Sequence, residues 1–407
     1  MPEFRPFHPF LPAQEALSGL YSGGGTANSG RDQQPQDINT LLEALVPGLS
    51  YTKRREACAD ALRLWESWIQ TARYTRCSTP AFLLYRVRYR DRWQHGWIGL
   101  TDAHDLIRNR IRKHEHVRAD RVAQLSEFEA ATSLQTTPVF LSHPQHPVLN
   151  RLIFEVQSNA PERCGKLPDG REFSLWIVDE PSSTSEIVEA VGSLSCLYIA
   201  DGHHRAAVAE AQASVRKDQN FTPMLSVLVP SNELHIYPFY RRILNDEGPL
   251  SLWSFIDKLR EHFILRPCLV EQMYYQYIPH GQYLLCTGEA CWQLIRKDPL
   301  NKSSRGLNSD KPEDLLDVGI LHSEIIGPLV GITDPTQDPR IEYGPLSIHI
   351  NDFKSMLRDP RTAFVLIARA PTADDIFRVA DSGGVMPPKS TSVEPKIING
   401  LVMWRTE

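Results

Sequence analysis

A mixed α/β fold is predicted for this sequence by three observations. The chain has 407 residues, of which 42% are hydrophobic and 23% charged, ordinary proportions for a globular protein able to bury a large core. Between residues 111 and 215, apolar runs of strand length alternate with stretches of helical periodicity. One of these runs, Ser195-Cys196-Leu197-Tyr198-Ile199-Ala200, stops abruptly at Asp201-Gly202 and continues as an Ala-rich helix that opens with His203-His204-Arg205.

Taken in order, residues 18–37 are too polar and Gly-rich to pack, and read as a mobile loop in an N-terminal segment spanning 1–50. Residues 56–72 carry Ala57, Ala61, Leu62, Leu64, Trp65 and Trp68 at amphipathic helical spacing, with the tryptophans facing a core. Strands are predicted at 81–89 and 93–100 around the Arg90-Asp91-Arg92 turn. A short strand or loop from Ile111, a helix from Ala119 and a strand from Pro138 follow. Further on come a strand at 173–178, a helix at 185–191 and the strand into Asp201. Residues 224–229 and 234–240 read as a hairpin around Pro230-Ser231-Asn232-Glu233. A helix at 251–262, a hairpin of 281–286 with 290–296 and a helix at 317–329 complete the pattern. Residues 51–245 are expected to form the core region and 246–407 a C-terminal α+β region. No repeat of fixed period is present.

Composition excludes several function classes. A net charge of −5 and a pI of about 6.3 leave no basic field for a nucleic-acid backbone. The seven cysteines, Cys58, Cys77, Cys164, Cys196, Cys268, Cys286 and Cys291, lie singly and without C-x-x-C, which fits a reducing cytoplasm rather than a disulfide framework. No apolar run approaches about 18 residues, and the N-terminus lacks a basic stretch followed by an apolar one, so neither membrane span nor signal peptide is expected.

The Asp201 turn carries the clearest chemistry. A strand ending in Asp-Gly turns tightly, Asp201 can cap the helix, and the first-turn amides of Gly202, His203, His204 and Arg205 point at whatever lies ahead. Two imidazoles and a guanidinium there suit an anion, and Arg205 can grip phosphate as a fork. Cations at a helix N-terminus oppose the macrodipole by about 0.3–1 kcal/mol unless an anion sits there, so stability alone does not account for the pattern. The plainer alternative is an Asp201 cap followed by a solvated first turn.

Glu115, in Lys113-His114-Glu115-His116-Val117-Arg118, is a second candidate. Attack of a hydroxyl on phosphorus needs a carboxylate within reach of that hydroxyl, and cations, amides and usually magnesium on the phosphate. Glu115 could serve as that base or could equally be a surface ion pair. Zinc is disfavoured because the neighbouring His203 and His204 point about 100° apart on a helix, unlike an i, i+4 pair. Mg2+ arriving with a nucleotide, with Asp201 as its ligand, is the metal expected. Lys389, Ser390 and Thr391 are phosphate contacts in residue type, although no Walker loop precedes them. His322, on a helix, reads as a hydrogen-bonded core histidine.

Together these motifs resemble the domain of unknown function 1015 family. The resemblance runs from Asn39-Thr40-Leu41-Leu42 through Lys113-His114-Glu115, Asp120-Arg121, Ile199-Ala200-Asp201-Gly202-His203-His204-Arg205 and Tyr237-Pro238-Phe239-Tyr240-Arg241 to Met386-Pro387-Pro388-Lys389-Ser390-Thr391 and Pro395-Lys396. The core resembles the ParB and sulfiredoxin superfamily, including free L-serine kinases, which implies a nucleotide-binding core with family-specific additions at both ends. By that resemblance Glu115 acts on the acceptor hydroxyl, and Asp201, Gly202, His203, His204 and Arg205 hold nucleotide phosphates, with Asp201 and His204 in the catalytic set. Lys389, Ser390 and Thr391 would fold over the nucleotide, and His114, Arg118 and Arg241 would hold the acceptor. The chain departs from the family pattern at the Gly-rich 22–28 region, at Tyr240 before Arg241 and at Ser392-Val393-Glu394, so its substrate recognition is expected to differ.

The function expected is that of a small-molecule kinase in a biosynthetic pathway, moving a phosphoryl group from ATP or ADP, with CTP also open, to a free hydroxy amino acid, serine foremost. The partners are then the nucleotide and that acceptor, with no nucleic acid and no membrane; a homodimer is left open. The alternatives are a ParB-like nucleotide switch and a nucleotide hydrolase, neither of which needs an acceptor.

Overall fold

The computed structural model describes residues 1–22, 38–216, 220–245, 252–271, 278–297 and 311–406. The fold is mixed, with helices packed on two large sheets, and divides into one unit of Met1–Leu234 with Pro395–Glu407 and another of His235–Glu394.

In the first unit the predicted hairpin, Phe82–Tyr89 with Arg92–Asp102, is the middle of a nine-stranded sheet. Glu172–Val178 and Arg163–Lys166 extend it on one side. On the other side Pro223–Pro230, Val139–His143, Leu197–Asp201 and Ile111–Arg112 follow in that order. Parallel pairing occurs only at the Pro223–Pro230/Val139–His143 and Leu197–Asp201/Ile111–Arg112 contacts among these neighbours. Phe82, Leu84, Trp97, Leu141 and Ile199 from the strands bury against Leu149, Ile187, Ala206 and Ala209 from the helices. The small Ala206 and Ala209 let the His203–Val215 helix lie close to the sheet, which holds its first turn at the end of the Leu197–Asp201 strand.

The helix predicted at 56–72 spans Tyr51–Gln70, longer at its start because the Ser50 hydroxyl accepts from the Lys53 amide at 3.4 Å. Its Trp65 and Trp68 bury with Tyr74, Phe128 and Met403. Met403 belongs to the last residues of the chain, which stitch this unit together. Ile398–Asn399 pairs with Tyr21–Ser22, and Trp404–Arg405 pairs with Leu134–Gln135.

The second unit is built on a six-stranded sheet in the order Phe263–Cys268, Cys291–Arg296, Gln282–Cys286, Thr362–Ala368, Phe239–Leu244, Ile341–Pro345. The hairpin expected at 281–296 is present. No helix among the described residues is long and apolar enough to cross a membrane.

Three sequence expectations need correction. The hairpin predicted at 224–240 does not form. Pro223–Pro230 is an interior strand of the first sheet, His235–Tyr237 pairs with Ser392–Glu394, and Phe239–Leu244 joins the second sheet. The chain leaves one unit there, so adjacency in sequence was not pairing in space. The helix predicted at 317–329 begins at Asp317–Leu321 but widens into a π-helical stretch over His322–Val330 that contains Pro328, whose missing N–H cannot sustain α-helical bonding. The Pro147–Gln157 helix was not anticipated, although proline at its start suits a first turn. Of the Gly-rich loop, residues 23–37 lie outside the described residues, while Tyr21–Ser22 is a strand.

Gly99 is a close-packing requirement of the central hairpin, because a Cβ there would sit 2.6 Å from Phe4 Cζ and 2.8 Å from Phe82 Cδ1. Gly99→Ala is therefore expected to lower stability by about 1–3 kcal/mol in urea unfolding, and an unchanged midpoint would contradict this packing.

Candidate functional site

Two strand ends create the site. Leu197–Asp201 pairs in parallel with Ile111–Arg112, Leu197 opposite Ile111 and Tyr198 opposite Arg112, so both chains leave the sheet side by side. A register shift between Ile199 and Asp201 re-aims the end of the strand. Gly202 then turns the backbone at φ +91°, a conformation that favours glycine, and the helix begins at His203. A Cβ on Gly202 would lie 2.6 Å from Arg205 Nη2, so the guanidinium is folded back over the turn.

Asp201 does not cap this helix. Gly202 occupies the cap position and no side chain bonds the first-turn amides. The carboxylate instead accepts from Lys396 Nζ at 2.8 Å through Oδ1 and stands 3.6 Å from Arg205 Nη2 through Oδ2. The Lys113–Arg118 segment packs against the same turn. Glu115 Oε2 is 3.3 Å from His203 Nδ1, the rings of His114 and His203 meet edge-to-face at 4.5 Å, and the Arg118 amide donates to His204 Nε2 at 3.1 Å.

The electrostatics correct one premise drawn from sequence, that the imidazoles act as cations. Burial pushes His114 down to about 4 and His203 well below the ordinary histidine range, His114 adding to the effect on His203. His204 is lowered as well, first by burial and then by Arg121 and Arg118. The shifts disfavour the charged form of all three rings, so opposition to the helix macrodipole is smaller than the sequence suggests. The positive charge is supplied by Arg205 and Lys396. Burial alone would raise the Asp201 carboxyl, but Lys396 and then Arg205 outweigh it and hold it below the usual carboxylate range.

Several polar atoms here are buried without a hydrogen-bond partner, namely both ring nitrogens of His114, Nε2 of His203 and Nε of Arg205. His203 Nδ1 faces Glu115 Oε2 at 3.3 Å, while its Nε2 meets no partner. Orphans of this kind are costly unless a ligand meets them.

Of the residues singled out in the sequence, His114, Glu115, Asp201, Gly202, His203, His204 and Arg205 are brought together in the first unit. Arg118 contributes its backbone amide, while its guanidinium pairs with Asp120 on the surface. Arg241, Lys389, Ser390 and Thr391 belong to the second unit. Arg241 there donates to Phe239 O at 3.0 Å and to Lys389 O at 3.3 Å, and Lys389 Nζ lies 5.9 Å from the Phe239 ring centre. The residue that sequence reasoning left without a role is Lys396, 195 positions from Asp201. Only its place in the Pro395-Lys396 motif marked it. Its main-chain carbonyl accepts from Arg171 Nη1 at 3.3 Å, which helps hold it in place.

Among the described residues no group of three or more His, Cys, Asp or Glu side chains is placed to hold a metal ion. A magnesium carried by a nucleotide needs less, one or two carboxylates with phosphate oxygens and water; the carboxylate that would meet it at this turn is Asp201, whose oxygens face Lys396 and Arg205.

The chain belongs to the family described as protein of unknown function (DUF1015), whose pattern matches residues 40–318. Among curated proteins, none matches it. Solved structures similar to it include a mutant free serine kinase in complex with ADP, with 14% identity and a TM-score of 0.35, covering 72% of this chain and 88% of that one. A conserved hypothetical protein from Pyrococcus furiosus is similar at 14% identity and a TM-score of 0.33, covering 72% and 91% respectively. SbnI from Staphylococcus aureus, truncated at its C-terminus, is similar at 10% identity and a TM-score of 0.36, covering 74% and 85%.

Lys396→Met is expected to raise the Asp201 carboxyl pKa, read from the side-chain carboxyl resonance in a pH titration. Because Asp201 is depressed in the folded state, its ion pairs stabilise above the unfolded carboxyl pKa and cease to do so as pH falls through the folded value. The stability deficit of the variant should thus be present at neutral pH and vanish in acid; a deficit independent of pH would contradict this pairing.

Proposed function

We propose that this protein is a small-molecule kinase that moves a phosphoryl group from a nucleotide, ATP or ADP, to the hydroxyl of a free amino acid, with serine the first candidate. The observation that carries this reading is the juxtaposition of Glu115 with the Asp201-to-Arg205 turn through His203 Nδ1 at 3.3 Å. It places a carboxylate beside an amide-lined, cationic helix start, the two halves of hydroxyl attack on phosphorus. Family membership adds to it through the motifs that Glu115 and Asp201 occupy.

In this mechanism Glu115 accepts the proton of the acceptor hydroxyl as that oxygen forms its bond to phosphorus and the bond from phosphorus to the departing nucleotide oxygen breaks. His203 orients Glu115 by hydrogen bonding without competing for the proton, since its ring is held neutral. The first-turn amides and Arg205 stabilise charge on the phosphoryl oxygens. His204, tied to the Arg118 amide, fixes the Lys113–Arg118 segment against the helix. His114 presents its unpaired nitrogens to the acceptor side. Mg2+ held by Asp201 would neutralise phosphate charge when bound. The free thiols of all seven cysteines suit a cytoplasmic setting.

Glu115→Gln is expected to lower kcat by roughly 10²–10⁴, with the melting temperature unchanged because the side chain is 60% exposed. The assay follows phosphorylated amino acid by mass spectrometry. Full phosphoryl transfer by the folded variant would overturn the role of Glu115, and nucleotide turnover that no amino acid stimulates would favour the hydrolase or switch instead.

A further inference from the structure

A cavity of about 480 Å³ opens at the far end of the His203–Val215 helix, in the size range of small-molecule sites. It lies between that helix and Ala119–Thr132, and is lined among others by Glu129, Ser133, Val208, Ala211, Gln212 and Arg216. Gln212 is nine positions beyond His203, about 13 Å along the helix axis, so the cavity extends away from the Asp201 turn toward the helix's far end.

The wall is charged in a specific way. Glu129 accepts from Gln212 Nε2 at 3.1 Å and is also bonded by Gln135, whose own Oε1 is committed to the Leu225 amide at 2.7 Å. Burial raises Glu129 to about 7, against the lowering effect of Gln212, Arg205 and Gln135, so its charge is under-compensated within the protein. Arg216 follows Gln212 by one helical turn and thus lies on the same face, yet no ion pair links it to Glu129 or to any other carboxylate among the described residues. Both helices end here, Ala119–Thr132 at Ser133 and His203–Val215 at Arg216, which adds partial negative charge from their last carbonyls. Val208, Ala211 and Val215 supply an apolar strip between the charged groups. Thr406 closes one side, its amide donating to Ser133 O at 2.9 Å.

We propose that this cavity binds a small organic zwitterion, its ammonium on Glu129 and the two helix ends and its carboxylate on Arg216, with a short aliphatic body against Val208 and Ala211. A bound ammonium adds a cation to the amide donors already on Glu129, and a carboxylate supplies Arg216 with an ion pair it lacks among the described residues. Arg205, on the His203–Val215 helix, is the other charged group that acts on Glu129, so a ligand in the cavity is sensed electrostatically at the phosphate turn.

The test is equilibrium binding of L-alanine, n-propylamine and propionate, measured by calorimetry on the full chain. L-alanine has no hydroxyl and cannot be phosphorylated, which separates this site from the reaction proposed above. Wild type should bind L-alanine best and propionate least. Glu129→Gln should weaken L-alanine and propylamine at least tenfold, Arg216→Gln should weaken L-alanine and propionate but not propylamine, and Ala211→Trp, at an exposed lining position, should abolish binding by filling the space. No binding of L-alanine by wild type, or binding that Glu129→Gln and Ala211→Trp both leave unchanged, would overturn the proposal.

Discussion

The ion pair between Lys396 and Asp201 is the interaction on which the candidate site depends. A carboxylate at a strand end, beside a helix start and among neutral rings, would be driven toward protonation by burial alone. Lys396 reverses that, and reaches Asp201 only because the last residues of the chain return to the first unit and are held there by pairing with Tyr21–Ser22 and Leu134–Gln135. The far end of the sequence therefore sets the charge state of the turn. Asp201 is kept ionised and Arg205 is drawn back over Gly202, leaving the first-turn amides without a side-chain cap.

The same burial that threatens Asp201 makes the histidines useful. A ring that is neutral across the physiological range can hold a fixed tautomer, donating at one nitrogen and accepting at the other. His203 turns Nδ1 toward Glu115 and leaves Nε2 unpartnered, and His114 has both nitrogens unpartnered beside it. Unpaired buried nitrogens cost stability, and a ligand at the turn would complete their hydrogen bonding. The arrangement trades stability of the empty fold for a site that is already organised.

Much of this was legible in the sequence because the signals were local. Asp201-Gly202 before an Ala-rich run marks a strand, a left-handed turn and a helix, and the structure has all three. The apolar alternation of 81–100 and the tryptophan spacing of 56–72 likewise predict their elements directly. What failed was long-range. The 224–240 segment has two good strands and a turn between them, but the chain changes unit at that point and each strand finds a distant partner. Capping by Asp201 was a sound local expectation that lost to Lys396, which no spacing rule connects to it. The sign of the histidines was misjudged for the same reason, since burial is a property of the fold and not of the His-His-Arg string.

The most direct measurement of the central claim is a phosphoryl-transfer screen of the wild-type protein with Mg2+, offering ATP, ADP or CTP together with each free hydroxy amino acid and reading the products by mass spectrometry. The account predicts a phosphorylated amino acid, O-phosphoserine first among them, formed in proportion to nucleotide consumed. Nucleotide consumption with no phosphorylated acceptor, or no consumption with any donor, would contradict it.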